Sequence, residues 1–286
     1  NTIRVQYVTP EQIGINSDKL IQVDSIAKYG IKEKAYPGCQ VVAIKDGKVF
    51  YQKNFGRQTY GETSEKVTDQ TIYDLASLTK ILSSSLALMK LTEKKEFDYN
   101  QNLGYYFPEL KETNKYDLNY KDVLTHQSGL QAFIPFWWRT QDKAHNYKPG
   151  FYSSTKSDSF PTLVAKDLYI RKGYTDTVYK QIYASKLEPK GKYLYSDVGY
   201  YFSKKLIENK SSMSLDAYVE KEFYQPLNIG LTYLPLNKYP LTQIAPTEHG
   251  KTFRKQILRG YVHDHGAALI GGVVAHAGLF GDANDV

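Results

Sequence analysis

The sequence predicts an α/β (α+β) chain, with an antiparallel sheet flanked by helices and a mainly helical region inserted into it. Three observations carry that expectation: an amphipathic stretch near the start, a hairpin signal directly after it, and a helical body over roughly residues 65–240. The expected division is therefore 1–64 plus 241–286 for the sheet domain and 65–240 for the helical region. A length of 286 residues suits one large domain, or a domain with a second one inserted. With 41% hydrophobic and 23% charged residues, the chain is neither disordered nor fibrous in composition.

Residues 11–29 place Ile13, Leu20, Ile21, Val23, Ile26 and Ala27 at mixed three- and four-residue spacing behind the capping candidates Ser17 and Asp18, which predicts an amphipathic helix. After Pro37-Gly38, the runs 39–44 and 49–53 flank Asp46-Gly47, a dipeptide suited to the left-handed backbone of a tight hairpin. From Thr71 the pattern turns helical, and Leu78 to Leu91 is apolar or small nearly all round, so that helix is expected to be buried on every side. Segments 117–126, 161–170 and 197–222 also read as helices, separated by loops rich in Pro, Gly, Asn and Tyr.

A net charge of +7 raises nucleic-acid binding as a possibility, but the lysines are scattered, and runs such as Lys90–Lys95 and Lys251–Arg259 read as solvated faces; no nucleic-acid partner is expected. There is no apolar run of 18 residues, which argues against a spanning helix. Cys39 is the sole cysteine, which rules out an intrachain disulfide and a CxxC metal knuckle. The opening Asn1-Thr2-Ile3-Arg4-Val5 has no signal-like apolar core, so any export signal is expected to lie outside this sequence.

Ser77-Leu78-Thr79-Lys80 has the form S-x-x-K, which puts a lysine one helical turn after a serine on the same face. Ser25-Ile26-Ala27-Lys28 and Ser153-Ser154-Thr155-Lys156 share it, so context must separate them. Ser25 falls inside an ordinary amphipathic helix and Ser153 in a polar loop, whereas Ser77 opens the most apolar helix of the chain. A lysine in a low-dielectric site has its ammonium form disfavoured, so a neutral amine becomes available to take a hydroxyl proton. Tyr195-Ser196-Asp197 supplies a second candidate element, a phenol able to carry a proton opposite the nucleophile.

Taken in order, Pro37-Gly38 with Lys45-Asp46-Gly47, Leu75-Ala76-Ser77-Leu78-Thr79-Lys80, Leu124-Thr125-His126-Gln127-Ser128-Gly129-Leu130 and Tyr195-Ser196-Asp197-Val198-Gly199-Tyr200 resemble the class C β-lactamase-like serine hydrolases. These belong to the β-lactamase and penicillin-binding-protein superfamily, which includes β-lactamases, D-alanyl-D-alanine peptidases and esterases. The resemblance implies a β-lactamase/transpeptidase-like fold and an acyl-enzyme mechanism without a cofactor. Ser77 would be the nucleophile, Lys80 its base and Tyr195 the proton carrier to the leaving group, with Asp197 and Gln127 contacting substrate. Asp197 stands where the family usually has Asn; a carboxylate only accepts hydrogen bonds, whereas an amide also donates. Ala245-Pro246-Thr247-Glu248, Gly260-Tyr261-Val262-His263-Asp264 and Ala275-His276-Ala277-Gly278-Leu279-Phe280 resemble the branch found alone or fused behind a family 3 glycosidase domain. That likeness implies cell-wall peptide substrates and an extracytoplasmic, periplasmic setting.

The family's third motif, K-T-G or H-x-G on a strand, has an apparent match in His276-Ala277-Gly278. Its glycine-rich surroundings, Gly271-Gly272 and Gly278-Leu279-Phe280, instead resemble the segment that precedes a helix upstream of the true motif. The domain is then expected to be C-terminally incomplete, with one oxyanion donor outside this sequence, a loss of on the order of 10²- to 10³-fold in rate. Two further readings follow from the residues. A metal-dependent hydrolase would use His263, His265 and His276, and a catalytically silent cell-wall-peptide module would be consistent with Asp197 and the absent third motif. Phe133, Phe136, Trp137 and Trp138 are equally suited to a rim for an apolar substrate group and to core packing.

Overall fold

The computed structural model describes residues 6–286, so the opening pentapeptide lies outside the described residues. The N-terminal layer is a three-stranded sheet in the order β1-β3-β2, formed by β1 (Gln6–Tyr7), β2 (Gly38–Lys45) and β3 (Lys48–Gly56). Strands β2 and β3 are the expected hairpin, antiparallel from Gly38↔Gly56 to Lys45↔Lys48, with a bulge at Ala43/Ile44. Asp46 and Gly47 both take positive φ, 51° and 70°, as a two-residue turn matched to the strand twist requires. Helix α1 (Ser17–Lys32) packs on this sheet. It starts later than its periodicity suggests, because Pro10–Ile13 forms a separate 3-10 turn that ends at left-handed Gly14, and the Asn16 side chain caps the new start on Asp18 N–H. Tyr51 and Lys53 on β3 bind Asp24 of α1, at 2.6 and 2.7 Å.

The second layer is helical: α2 (Leu86–Glu93), α3 (Leu103–Tyr106), α4 (Tyr120–Leu124), α5 (Tyr174–Ala184), α6 (Val198–Ser211), α7 (Leu215–Val219) and α8 (Gln225–Leu227). Leu91, Leu103, Phe107, Phe202, Leu206 and Leu215 are among the fully buried side chains of its core. The segment read as a helix over 161–170 is instead a hairpin, β6 (Thr162–Ala165) and β7 (Leu168–Ile170), joined to β5 (Tyr152–Ser153). Its two-residue connection Lys166-Asp167, with Asp167 at φ 51°, lets Leu168 and Ile170 bury, a turn chemistry the apolar count alone concealed. Helix α5, which the sequence pattern did not single out, follows directly.

A third sheet joins three distant segments: β11 (Leu279–Gly281) lies between β4 (Tyr73–Asp74) and β8 (Thr232–Tyr233), antiparallel to both. A short pair, β9 (Glu248–His249) with β10 (Ile257–Leu258), precedes α9 (His265–Leu269). The largest sheets among the described residues have three strands. None of the described helices is long and apolar enough to cross a membrane.

Candidate active site

Strand β4 delivers the chain to Ser77 through a constrained corner. Ala76 adopts φ +46°, a left-handed conformation that is costly for a residue with a Cβ. Asp74 holds the corner from below: its Oδ1 accepts from Ala76 N–H at 2.8 Å and its Oδ2 from His263 N–H at 2.6 Å. Burial pushes the Asp74 carboxyl up, against these two backbone donors. Ser77 emerges exposed on a 3-10 turn, Ala76–Leu78, and Lys80 opens a wide, π-type turn, Lys80–Ser85, that leads into α2. The helix is not buried on every side as its composition suggests, since Leu78, Ile81 and Met89 are exposed; burial is confined to the face carrying Lys80, Ser83, Ser84, Ala87 and Leu91.

On that face Lys80 Nζ lies 2.9 Å from Ser77 Oγ. The lysine side chain is only 6% exposed, and Asp197 Oδ1 faces its amine at 2.6 Å, an ion pair lying off the line of a good hydrogen bond. The His276 carbonyl is 3.4 Å from the same nitrogen. The rings of Tyr195 and Tyr200 cover it, with centroids 4.8 and 5.2 Å away. The structure thus brings Ser77, Lys80, Tyr195 and Asp197 together. Gln127 is exposed, its amide donates to Thr125 Oγ1 at 3.3 Å, and it does not line the cleft beside Asp197.

Two loops are stitched together to present Tyr195 and Asp197. Ser196 N–H donates to His126 Nδ1 at 3.0 Å, Ser196 Oγ donates to the Gln131 carbonyl at 2.6 Å, and Asp197 N–H donates to the Ala132 carbonyl at 2.9 Å. The His126 ring packs 4.5 Å from that of Tyr195. Burial, and then the Lys80 charge, push the His126 imidazole below its ordinary value, which suits a ring nitrogen that accepts a hydrogen bond. Gly129 makes the turn possible: its φ is +78°, and a Cβ there would come within 2.3 Å of the Glu188 carbonyl oxygen.

The 275–279 segment closes the site from the other side. Ser84 Oγ donates to the Ala275 carbonyl at 2.7 Å, Leu279 N–H to Thr79 Oγ1 at 3.1 Å, and Leu75 N–H to the Leu279 carbonyl at 2.9 Å. His276-Ala277-Gly278 occupies a bend before β11 and lies on no strand, yet its backbone reaches Lys80, a contact the sequence reading did not foresee. The His276 ring is 2% exposed, with Nε2 3.3 Å from Asp264 Oδ1. Although burial pushes the Asp264 carboxyl up, the hydrogen bond from His276 and the Ala267 N–H at 2.6 Å outweigh it and hold it well below the usual carboxylate range.

Asp197, Asp264 and His276 face a cleft of about 230 Å³ whose other walls include Phe133, Trp137 and Tyr201. The histidines weighed as metal ligands are otherwise engaged: His263 Nε2 meets Glu248 Oε2 at 2.8 Å, and the His265 ring packs 4.6 Å from Trp137. Burial, followed by the Arg254 charge, lowers the His265 value. Arg254, 2% exposed and lowered to about 10 by burial, donates to the Val262 and His263 carbonyls and so pins the turn before Asp264. One donor atom each from Asp197, Asp264 and His276 fall within 4.8 Å of one another, but the Lys80 amine already sits on Asp197. Asp74, His126 and Asp264 were not assigned roles from sequence, because the contacts that tie each of them to the site, with His263 N–H, Ser196 N–H and the His276 ring, join separate segments that no local spacing reveals.

Comparison with known proteins shows the family of the chain. The family model described as Beta-lactamase matches residues 23–286. The chain is 30% identical over 311 aligned residues to the N-acetylmuramyl-L-alanine amidase of Bacillus subtilis (strain 168), covering 100% of this chain and 65% of that protein. It is 31% identical over 303 residues to a Salmonella typhimurium protein that carries a provisional D-alanyl-D-alanine carboxypeptidase name, covering 97% of this chain and 65% of that one. The chain therefore spans about 65% of the length of these curated relatives. Among solved structures, the octameric penicillin-binding protein homologue from Pyrococcus abyssi superposes with a TM-score of 0.66 at 22% identity, over 93% of this chain and 54% of that one. A class C β-lactamase superposes with a TM-score of 0.65 at 19% identity, over 95% and 64% of the two chains. These two likenesses establish the fold.

Proposed function

The chain belongs to the Beta-lactamase family across residues 23–286, and from that premise we propose that it is a serine hydrolase acting through an acyl-enzyme on amide or ester bonds. The observation that carries this reading is the 2.9 Å contact between Lys80 Nζ and Ser77 Oγ, with Asp197 2.6 Å behind the amine. It is the nucleophile, base and orienting group of general nucleophilic catalysis. Ser77 Oγ attacks the carbonyl carbon and its proton passes to Lys80. Asp197 stabilises the ammonium as it forms, where a preformed counter-charge needs no reorganisation. The tetrahedral centre expels its leaving nitrogen or oxygen, which takes a proton through Tyr195. Water then attacks the Ser77 ester, releases the acid and restores the hydroxyl.

The substrate class that best fits the relatives' names is a peptidoglycan-type peptide ending in D-Ala-D-Ala, or a β-lactam, acted on outside the cytoplasm; a carboxylesterase uses the same residues. Periplasmic action and attachment to a glycosidase domain rest on the motif likeness alone. The test is intact-mass spectrometry after exposure to a penicillin, an activated ester and a D-Ala-D-Ala peptide, with adducts mapped by proteolysis. An adduct on Ser77 that disappears in Ser77→Ala supports the reading; unmodified Ser77 with all three overturns it in favour of a silent binding module.

A further inference from the structure

The cleft beside the nucleophile has a sign opposite to that of the whole protein. The chain carries a net charge of +7, yet Asp197 and Asp264 line this cleft together with His263, His265 and His276, and among the described residues no lysine or arginine lines it. Each carboxylate commits one oxygen inward. Asp197 Oδ1 faces Lys80, and Asp264 Oδ1 accepts from Ala267 N–H and meets His276 Nε2. Their side chains retain 26% and 35% exposure, and neither Oδ2 has a hydrogen-bond partner among the described residues. Two acceptor oxygens therefore remain for whatever enters. His276, 2% exposed and lining the same cleft, also has a ring nitrogen, Nδ1, with no partner. The remaining walls include the aromatic faces of Phe133, Trp137 and Tyr201.

Carboxylate oxygens bordered by aromatic rings are the chemistry that recognises an ammonium, through charge-assisted hydrogen bonds and cation–π attraction. We propose that this cleft is an ammonium subsite: Asp197 and Asp264 receive a protonated amino group carried on the substrate a few bonds from its scissile carbonyl, as in an aminoacyl amide or ester. The proximity follows from the chain of contacts, since a single lysine side chain separates Asp197 from Ser77 Oγ. The inference rests on the serine-hydrolase reading above and narrows its substrate class. An Asn at 197 would present a donor beside an acceptor and lose the charge that distinguishes an amine from its acylated form.

The experiment compares β-alanine ethyl thioester with its N-acetyl counterpart at pH 7.5, where the aliphatic amine is charged. Thiol release is followed, and only the rate lost in Ser77→Ala is counted. The expected result is a kcat/KM at least about tenfold higher for the free amine, a ratio that collapses in Asp197→Asn and in Asp264→Asn even where absolute rates also fall. A general structural defect lowers both rates and leaves that ratio alone. Equal rates, faster release from the N-acetyl form, or a preference that survives both substitutions would overturn the subsite while leaving the hydrolase reading intact. Stoichiometric metal in the purified protein would also overturn it, by assigning the carboxylates to a cation of another kind. No Ser77-dependent release from either thioester, together with Ser77 unlabelled by a fluorophosphonate, would sink the hydrolase reading and the subsite with it.

Discussion

Replacing Lys80 by methionine separates the chemical role of the lysine from its structural one. The substitution keeps a similar length and apolar stem but removes the base 2.9 Å from Ser77 Oγ and the charge 2.6 Å from Asp197. Loss of a general base lowers the acylation rate by about 10²- to 10⁴-fold. Breaking a fully buried ion pair costs about 3–5 kcal/mol, but Asp197 is 26% exposed and solvent relieves part of its isolation, so a loss of ~1–3 kcal/mol is expected. The double variant Lys80→Met/Asp197→Asn removes the stranded charge as well. It should recover most of the stability, with a coupling of ~1–2 kcal/mol, while acylation stays slow. Urea unfolding measures the first quantity, and the rate of Ser77 labelling by an activated ester, read by intact mass, measures the second. Lys80→Met labelled within about threefold of the parent would refute the assignment of Lys80 as base, whatever the unfolding curves show.

Ser77→Ala should abolish labelling while changing stability by less than about 0.5 kcal/mol, because the Ser77 side chain is exposed; unfolding curves and intact mass on the same preparation check both. Asp74→Ala should cost about 2–4 kcal/mol in urea unfolding, since it strands the Ala76 and His263 N–H groups at 2.8 and 2.6 Å, whereas Asp74→Asn keeps one acceptor and should cost less. His126 is pushed down by burial and then by the Lys80 charge, so its contribution is complete above the unfolded value of ~6.5 and is lost as the pH falls through the folded one. Tm and Ser77 labelling should therefore decline together between pH 7 and pH 5 in the parent. His126→Gln, which does not titrate, should show a flatter profile, and an unchanged slope in that variant would count against the role of the imidazole.

The parts of the fold that were legible in sequence are those set by short-range chemistry. Asp46-Gly47 specified a turn that only left-handed residues make readily, and the β2–β3 hairpin follows from it. The S-x-x-K spacing permitted the Ser77–Lys80 contact, because one helical turn puts both side chains on one face, but Ser25 and Ser153 share that spacing and Ser25 Oγ donates to the Ile21 carbonyl instead, so only context singled out Ser77. Segment 161–170 misled because a run of apolar residues has no preferred period at that length, and only tertiary packing of Leu168 and Ile170 makes it a strand pair. Helix α1 began late for the complementary reason, since a glycine at φ +71° interrupts an otherwise continuous apolar pattern.

What spacing could not supply is the environment that decides how Lys80 behaves. Composition attributed its burial to an all-round apolar helix, but Ile81 and Met89 on that helix are 63% and 67% exposed. The lysine is buried by groups remote in sequence: the rings of Tyr195 and Tyr200, the His276 carbonyl and the Asp197 carboxylate. The Asp197 carboxylate at 2.6 Å places a counter-charge directly beside the amine. On the proposed acyl-enzyme reading, Asp197 does more than replace a substrate-contacting amide: it would orient the base and supply the counter-charge for the proton Lys80 gains from Ser77. On the subsite proposal, the same carboxylate, which lines the cleft, also sets what the cleft accepts. A substitution at 197 should accordingly alter rate and substrate preference together, whereas one at Asp264, whose carboxylate meets Ala267 N–H and the His276 ring rather than Lys80, should act mainly on preference.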